Sequence, residues 1–206
     1  MNIILLSGGS GKRLWPLSND IRSKQFVKMF QNDRGEYESM VQRVYRQIKQ
    51  VDPDATITIA TSKKQVSTIH HQLGDKVSVC VEPARRDTFP AIALAAAYLC
   101  SEKHVDEKEC VLVMPVDPYV DEGYFRSLAE LFKLAQEGTY HLNLMGVEPT
   151  YPSEKYGYII PKTKDHVSEV ASFKEKPDAK TAEDYIRQGA LWNCGVFAFQ
   201  LGYLLN

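Results

Sequence analysis

Apolar and polar positions along this chain alternate between two periodicities. Residues 3–6 form a short unbroken apolar run, as in a strand buried on both faces. Ser39-Met-Val-Gln42 reads as a Ser-x-x-Gln helix start. Apolar residues follow at Met40, Val44, Ile48 and Val51, and Pro53 stops the helix. Residues 56–60 are β-branched up to Ile59 and predict a strand. The capped-helix pattern returns over 62–73, with Val66, Ile69 and Leu73 on one face, and 77–81 predict a third strand. This β-α-β-α-β order predicts an α/β fold, a mostly parallel central sheet with helices on both faces.

The alternation continues with an alanine-rich helix over 89–99, Pro90 in its first turn. A fully apolar strand over 110–114 suits the centre of a parallel sheet. A helix over 124–136 and a strand over 142–147 follow. The pattern then changes. Strands over 156–161 and 167–174 are joined by a polar turn. A short amphipathic helix over 179–188 turns Tyr185 and Ile186 inward, 191–199 predict a last strand, and 201–206 start a helix. The expectation is a single domain over 1–206, with a first part over 1–150 and a mixed α+β part over 151–206 across the mouth of the sheet. No repeat, low-complexity tract or linker interrupts it.

Composition narrows the classes. A hydrophobic fraction of 44% and a charged fraction of 25% are those of a globular domain. A net charge of −1 supplies no basic field, so nucleic acid is not an expected partner. No apolar run reaches membrane-spanning length, and the first residues lack the marks of a signal peptide. Cys80, Cys100, Cys110 and Cys194 show neither C-x-x-C spacing nor a zinc pattern. They read as buried free thiols in a reducing, cytoplasmic setting. His70 and His71 fall on a polar helix and read as surface residues.

Candidate chemistry begins where the first strand breaks into Ser7-Gly-Gly-Ser-Gly11, followed by Lys12 and Arg13. A glycine-rich loop offers backbone N–H groups to an anion. It is not a Walker A loop, because Leu6 stands where the first glycine is needed and Arg13 follows Lys12; the dinucleotide G-x-G-x-x-G also fails at Leu14. The alternative to a phosphate cradle is an ordinary strand-to-loop turn. Arg22-Ser-Lys24-Gln-Phe26 extends a positive lining or a solvated turn. Glu82-Pro-Ala-Arg-Arg-Asp-Thr88 leaves the third strand at its carboxyl end, where open α/β sheets bind ligands; its charges also suit local ion pairs. Asp117 ends the central strand, placed either to hold a hard cation or to cap a turn, and Asp121 suits a helix cap. With Gly157, Glu175, Lys176 and Asn193 in the mixed region, these parts describe a nucleotide–phosphate site with a metal and a polar second pocket. Phosphoryl or nucleotidyl transfer needs such parts.

Six motifs in order make the pattern specific: Ser-Gly-Gly-Ser-Gly-Lys-Arg-Leu-Trp-Pro-Leu17, Lys24-Gln-Phe26, Glu82 to Thr88, Tyr156-Gly-Tyr-Ile159, Glu175-Lys-Pro177 and Leu191-Trp-Asn-Cys-Gly-Val-Phe197. The chain resembles the sugar-phosphate nucleotidyltransferases over nearly its whole length, and among them the mannose-1-phosphate guanylyltransferase group. The resemblance implies a Rossmann-like nucleotide-diphospho-sugar transferase fold, with a nucleotide-binding part over 1–150 and a sugar-phosphate part over 151–206. It implies GMP transfer from GTP to mannose 1-phosphate with Mg²⁺, giving GDP-mannose and pyrophosphate. Gly8, Gly9 and Gly11 then hold the nucleotide, with Glu82, Arg86, Asp87 and Thr88 around base and ribose. Arg13 and Lys24 are catalytic, Arg13 on the leaving pyrophosphate and Lys24 on the α-phosphate side. Asp117 binds Mg²⁺. Gly157, Glu175 and Asn193 line the sugar and Lys176 meets its phosphate.

The chain departs from the family pattern in three places. Ser23 replaces a proline, implying a less rigid loop, and Asp117-Pro118 replaces Asp-His. No counterpart of the family's second metal-binding aspartate is evident. The family's C-terminal part is missing, so a shortened form is expected, and a homo-oligomer is compatible with the pattern. Rival readings are the same chemistry with another base or sugar, a non-catalytic nucleotide-binding module, and a glycosyltransferase, whose Asp-x-Asp spacing Asp117 and Asp121 do not match.

Overall fold

A computed structural model describes residues 1–9, 16–18 and 23–205. They fall into two compact units, Met1–Asn143 with Phe197–Asn206, and Leu144–Val196.

The first unit is built on β1 (Asn2–Leu6), with the hairpin β2 (Lys28–Gln31) and β3 (Tyr37–Ser39) after it. Then come α1 (Met40–Val51), β4 (Thr56–Ser62), α2 (Val66–Leu73), β5 (Ser78–Glu82) and α3 (Thr88–Ser101). β6 (Cys110–Pro115) and α4 (Glu122–Glu137) follow, and β7 (Leu142–Val147) begins here and runs on into the second unit. β5, β4, β1 and β6 lie side by side in that order, all parallel. Both outer neighbours of β1 are thus strands that come later in the chain. Ile4, Val111 and Val113 pack on one face with Ile92, Ala95, Ala96 and Leu99 of α3; the alanines let this helix lie close to the sheet. Ile3, Leu5, Leu112 and Met114 alternate to the other face and are equally buried, so both faces are covered. On that side α4 packs on β6 and α1 on α4.

Capping explains where the helices start. At α1 the Ser39 hydroxyl accepts from the Gln42 N–H and the Gln42 side chain accepts from the Ser39 N–H, the reciprocal box its sequence predicts. Asp121 caps α4 through the Tyr124 N–H at 3.3 Å, and Gly138 ends that helix in the left-handed region. The 62–73 segment differs from expectation. It opens with a 3-10 turn over Lys63–Gln65, and Ser62 makes no capping bond. The cause is Gln65, whose side chain turns into the protein while Lys63 and Lys64 face water. The β2–β3 hairpin carries no clear periodicity. Its turn is made by the Asn32 carboxamide oxygen, which accepts from the N–H groups of Arg34 and Glu36, with Gly35 at φ 75°.

The second unit holds β8 (Gly157–Pro161), β9 (Val170–Glu175), α5 (Ala179–Arg187) and the first part of β10 (Leu191–Gln200). Antiparallel pairing sets Gly157 against Glu175 and Leu191 against Ile159, while β7 pairs with β10. Tyr158, Ala182 and Ala190 form the centre, with Tyr185 and Ile186 against it as α5 amphipathicity predicts. In the first unit the last residues of β10 run antiparallel to β6, Phe197 against Val113, and α6 (Leu201–Leu205) follows. The four cysteines are unpaired, and burial pushes every thiol up, Cys194 to about 11. Among the described residues no helix is long and apolar enough to cross a membrane.

Candidate functional site

Three strand ends build the first unit's site. The Ser7 N–H reaches the Ala60 carbonyl of β4 at 2.9 Å, and the Val116 N–H reaches the Leu6 carbonyl at 3.1 Å. The sheet ladder therefore runs on one step beyond β1 before Gly8 and Gly9 leave it. These glycines line a cleft of about 290 Å³ with Leu6, Ser7, Glu82, Arg85, Asp87, Thr88 and Ala91. A Cβ at Gly8 would stand 3.8 Å from Glu82 Oε1, so the loop runs close over that carboxyl group.

Glu82 is the last residue of β5 and only 9% exposed. Burial pushes its carboxyl pKa up, and the nearby Arg85 charge offsets part of this. Asp87 starts α3 with its side chain accepting from the Thr88 N–H at 2.9 Å. Its backbone, φ 72° and ψ −168°, occupies a region that suits glycine and is strained for other residues. Such strain concentrates where a side chain is held for use.

Lys24 begins a 3-10 turn over Lys24–Phe26 whose Gln25 and Phe26 are buried. Its ammonium is ion-paired with the Asp117 carboxylate. Asp117 leaves β6 next to β1, whose Leu6 pairs with Pro115, so the carboxylate and the glycine loop emerge from adjacent strands at the same sheet edge. Tyr119, 71% exposed, stacks on Phe30 of β2 at 5.5 Å between ring centres, with the Arg43 guanidinium 5.3 Å from its ring. The hairpin and α1 thereby hold the loop that carries Asp117. Among the described residues no three His, Cys, Asp or Glu side chains gather as a metal cage.

In the second unit Gly157, Glu175 and Lys176 are together. A Cβ at Gly157 would lie 2.7 Å from both Glu175 Oε2 and Phe173 Cζ. Lys176 Nζ is 2.9 Å from Glu175 Oε1, and its backbone has φ 43°. Asn193 accepts from the Gly195 N–H at 3.0 Å, beside Trp192, which Tyr151 and Tyr156 flank at 5.1 and 4.8 Å.

Of the sequence-derived candidates, Gly8, Gly9, Glu82, Asp87 and Thr88 come together in the cleft, and Lys24 meets Asp117. Gly11 and Arg13 lie outside the described residues. Arg86 is exposed, and Arg85 is the arginine lining the cleft. Sequence reasoning missed Arg85, Gln25 and Gln65. The last had one visible mark, a glutamine four residues before Ile69 and eight before Leu73, on an otherwise apolar helix face.

The family model described as nucleotidyl transferase matches residues 2–206. The chain belongs to the nucleotidyl transferase family. Similar relatives include the xanthan biosynthesis protein XanB of Xanthomonas campestris pv. campestris, 37% identical over 98% of this chain and 43% of the relative. The alginate biosynthesis protein AlgA of Pseudomonas fluorescens is 36% identical, over 98% and 42%. A mannose-1-phosphate guanylyltransferase of Escherichia coli is 32% identical, over 96% and 44%. The chain thus spans less than half the length of these relatives. Among solved structures, one called mannose-1-phosphate geranyltransferase from Thermus thermophilus matches with TM-score 0.83 and 30% identity, over 98% of this chain and 58% of that one. A putative glucose-1-phosphate thymidylyltransferase from Bacillus anthracis shares the fold, with TM-score 0.68 at 19% identity over 99% and 72%.

Proposed function

We propose that the chain transfers GMP from GTP to α-D-mannose 1-phosphate, releasing pyrophosphate and forming GDP-mannose. The observation that carries this reading is the cleft between Gly8-Gly9 and Glu82, with the Lys24–Asp117 pair at the neighbouring strand end. Cradle, cation and carboxylate stand on one sheet edge, as in-line displacement at a phosphorus requires. The relatives' names supply the sugar and the base.

Gly8 and Gly9, with Gly11, hold the nucleotide through backbone N–H groups, and Arg13 stabilises the leaving pyrophosphate. Lys24 holds the α-phosphate side, so the sugar-phosphate oxygen attacks in line. Glu82 faces the base, with Arg85, Asp87 and Thr88, which line the same cleft, around base and ribose. Guanine's N1–H and N2–H₂ are adjacent donors that one carboxylate accepts together; adenine lacks that pair. Gly157, Glu175 and Asn193 line the sugar, and Lys176 meets its phosphate.

Mg²⁺ fits Asp117, because this ion is commonly held by one or two carboxylates plus substrate phosphates. When bound, it neutralises phosphate charge. The Lys24–Asp117 pair already positions these two groups for the charges they meet in the complex. The four unpaired thiols support a reducing, cytoplasmic setting.

The test is pyrophosphate release by purified protein with Mg²⁺, mannose 1-phosphate and each nucleoside triphosphate in turn. Release with GTP is expected, falling by more than about 100-fold in Asp117→Ala. Release with another base instead overturns the specificity and keeps the chemistry. No release from folded protein overturns the catalytic reading.

A further inference from the structure

We propose that Gln65 is a positioning residue that locks the glycine loop against the turn carrying Lys24. This rests on reading their cleft as a nucleotidyl-transfer site.

Gln65 is fully buried at the start of α2, and both ends of its carboxamide are used. Oε1 accepts from the Thr61 hydroxyl at 2.7 Å and from the Ser7 hydroxyl at 3.4 Å. Nε2 donates to the Ser23 hydroxyl at 2.7 Å and to the Gly9 carbonyl at 3.4 Å. The Gly9 carbonyl can only accept, so it fixes which end of the amide is nitrogen. A second tie runs the other way. Gln25 Nε2 donates to the Ser7 hydroxyl at 3.1 Å and to the Ser7 carbonyl at 3.5 Å. Ser7, Ser23, Gln25, Thr61 and Gln65 are each at most 2% exposed.

A buried polar network that is satisfied throughout rigidifies what it joins, because each broken bond leaves an unpaired group away from water. Here it joins the loop after β1, the residue before Lys24 and the end of β4. The sheet places the chain as far as Ser7, and at Gly8 and Gly9 the backbone has left the ladder. Gln65 supplies the missing constraint from 42 residues beyond Ser23 and 56 beyond Gly9. It also accounts for Ser23, whose hydroxyl is an anchor. Ser23 has φ −68°, near the value a proline ring imposes, so the turn keeps that geometry through a side-chain bond.

The experiment compares wild type, Gln65→Met, Ser23→Ala and the double variant, all well below their unfolding midpoints. Methionine keeps length and volume while removing the amide. Two readouts are taken: amide hydrogen exchange, and kcat for pyrophosphate release. Gln65→Met is expected to speed exchange over 7–9 and over 23–27 together, with β5 unchanged, and to lower kcat roughly 10- to 100-fold, the scale of an ångström-sized misplacement. Adding Ser23→Ala to it should cost less than about twofold more, because the two act through one bond. If Gln65→Met does not fold, Ser23→Ala alone carries the test, with faster exchange in the same two segments and a lower kcat. A lower midpoint with unchanged kcat and faster exchange only at 63–66 would overturn the proposal. Wild type that releases no pyrophosphate, with the two-segment response intact, refutes the catalytic reading and leaves the positioning role standing.

Discussion

Glu82 is a carboxyl group withheld from water at a strand end, and its charge state follows from that. Its folded pKa is raised, so ionisation is harder in the folded chain than in the unfolded one. The stability it contributes is full below the unfolded value of about 4.3 and is lost as pH rises through the folded value. Glu82→Gln should therefore raise the midpoint near pH 7–8, and the gap to wild type should close near pH 4. Thermal scans across that range check the sign. The same variant should weaken discrimination of GTP from ATP, since an amide has only one oxygen to accept both guanine donors. Gly157 poses the opposite problem, one of space. Its absent Cβ leaves room for the ends of Glu175 and Phe173, which are flexible enough to move. Gly157→Ala should change stability by less than about 1 kcal/mol. It should raise the KM for mannose 1-phosphate roughly tenfold by displacing Glu175, the size of one lost hydrogen bond to a charged group. An unchanged KM would remove Glu175 from the sugar site.

At the scale of elements, α1 shows how a local signal acquires tertiary weight. Ser39 caps the helix and also donates to the Gln72 side chain at 2.6 Å, and Gln72 in turn donates to the Phe26 carbonyl at 2.9 Å. The cap thus reaches the turn that holds Lys24. Ser39→Ala should destabilise by about 1–2 kcal/mol, the upper part of the range for lost caps, read by urea unfolding. Ser39→Asp, which keeps the cap acceptor and loses the donor to Gln72, should recover only part of that loss. Periodicity made nearly all these helices and strands legible beforehand, because burial on one face is written in a segment's own residues. The β2–β3 hairpin was not legible. Its order comes from Asn32 in the turn and from the Glu38 carboxylate, which accepts from Arg46 Nη2 at 2.8 Å. Helix 62–73 was misread at its start for the same reason, since Ser62 looked like a cap and Gln65 found better partners elsewhere.

For the molecule as a whole, a nucleotide that binds only the folded chain must stabilise it. GTP with Mg²⁺ at a hundred times its Kd should add about 2.7 kcal/mol, seen as a rise in thermal midpoint that ATP at the same concentration does not match. Equal shifts with both would place the base outside the influence of Glu82.

The sequence by itself determined the alternation of strands and helices, the caps of α1 and α4, and the residue types that phosphate chemistry needs. Those are set within a few residues of one another, by periodicity and by local hydrogen bonds. Only the tertiary structure decided that β1 lies between β4 and β6, and hence that Asp117 and the glycine loop share an edge. It decided that Arg85 lines the cleft, and that Gln65 serves Ser7, Gly9 and Ser23 at once. Strand order and buried polar pairing join residues dozens of positions apart. The free energy that selects them comes from removing all partners from water together, which no single segment encodes.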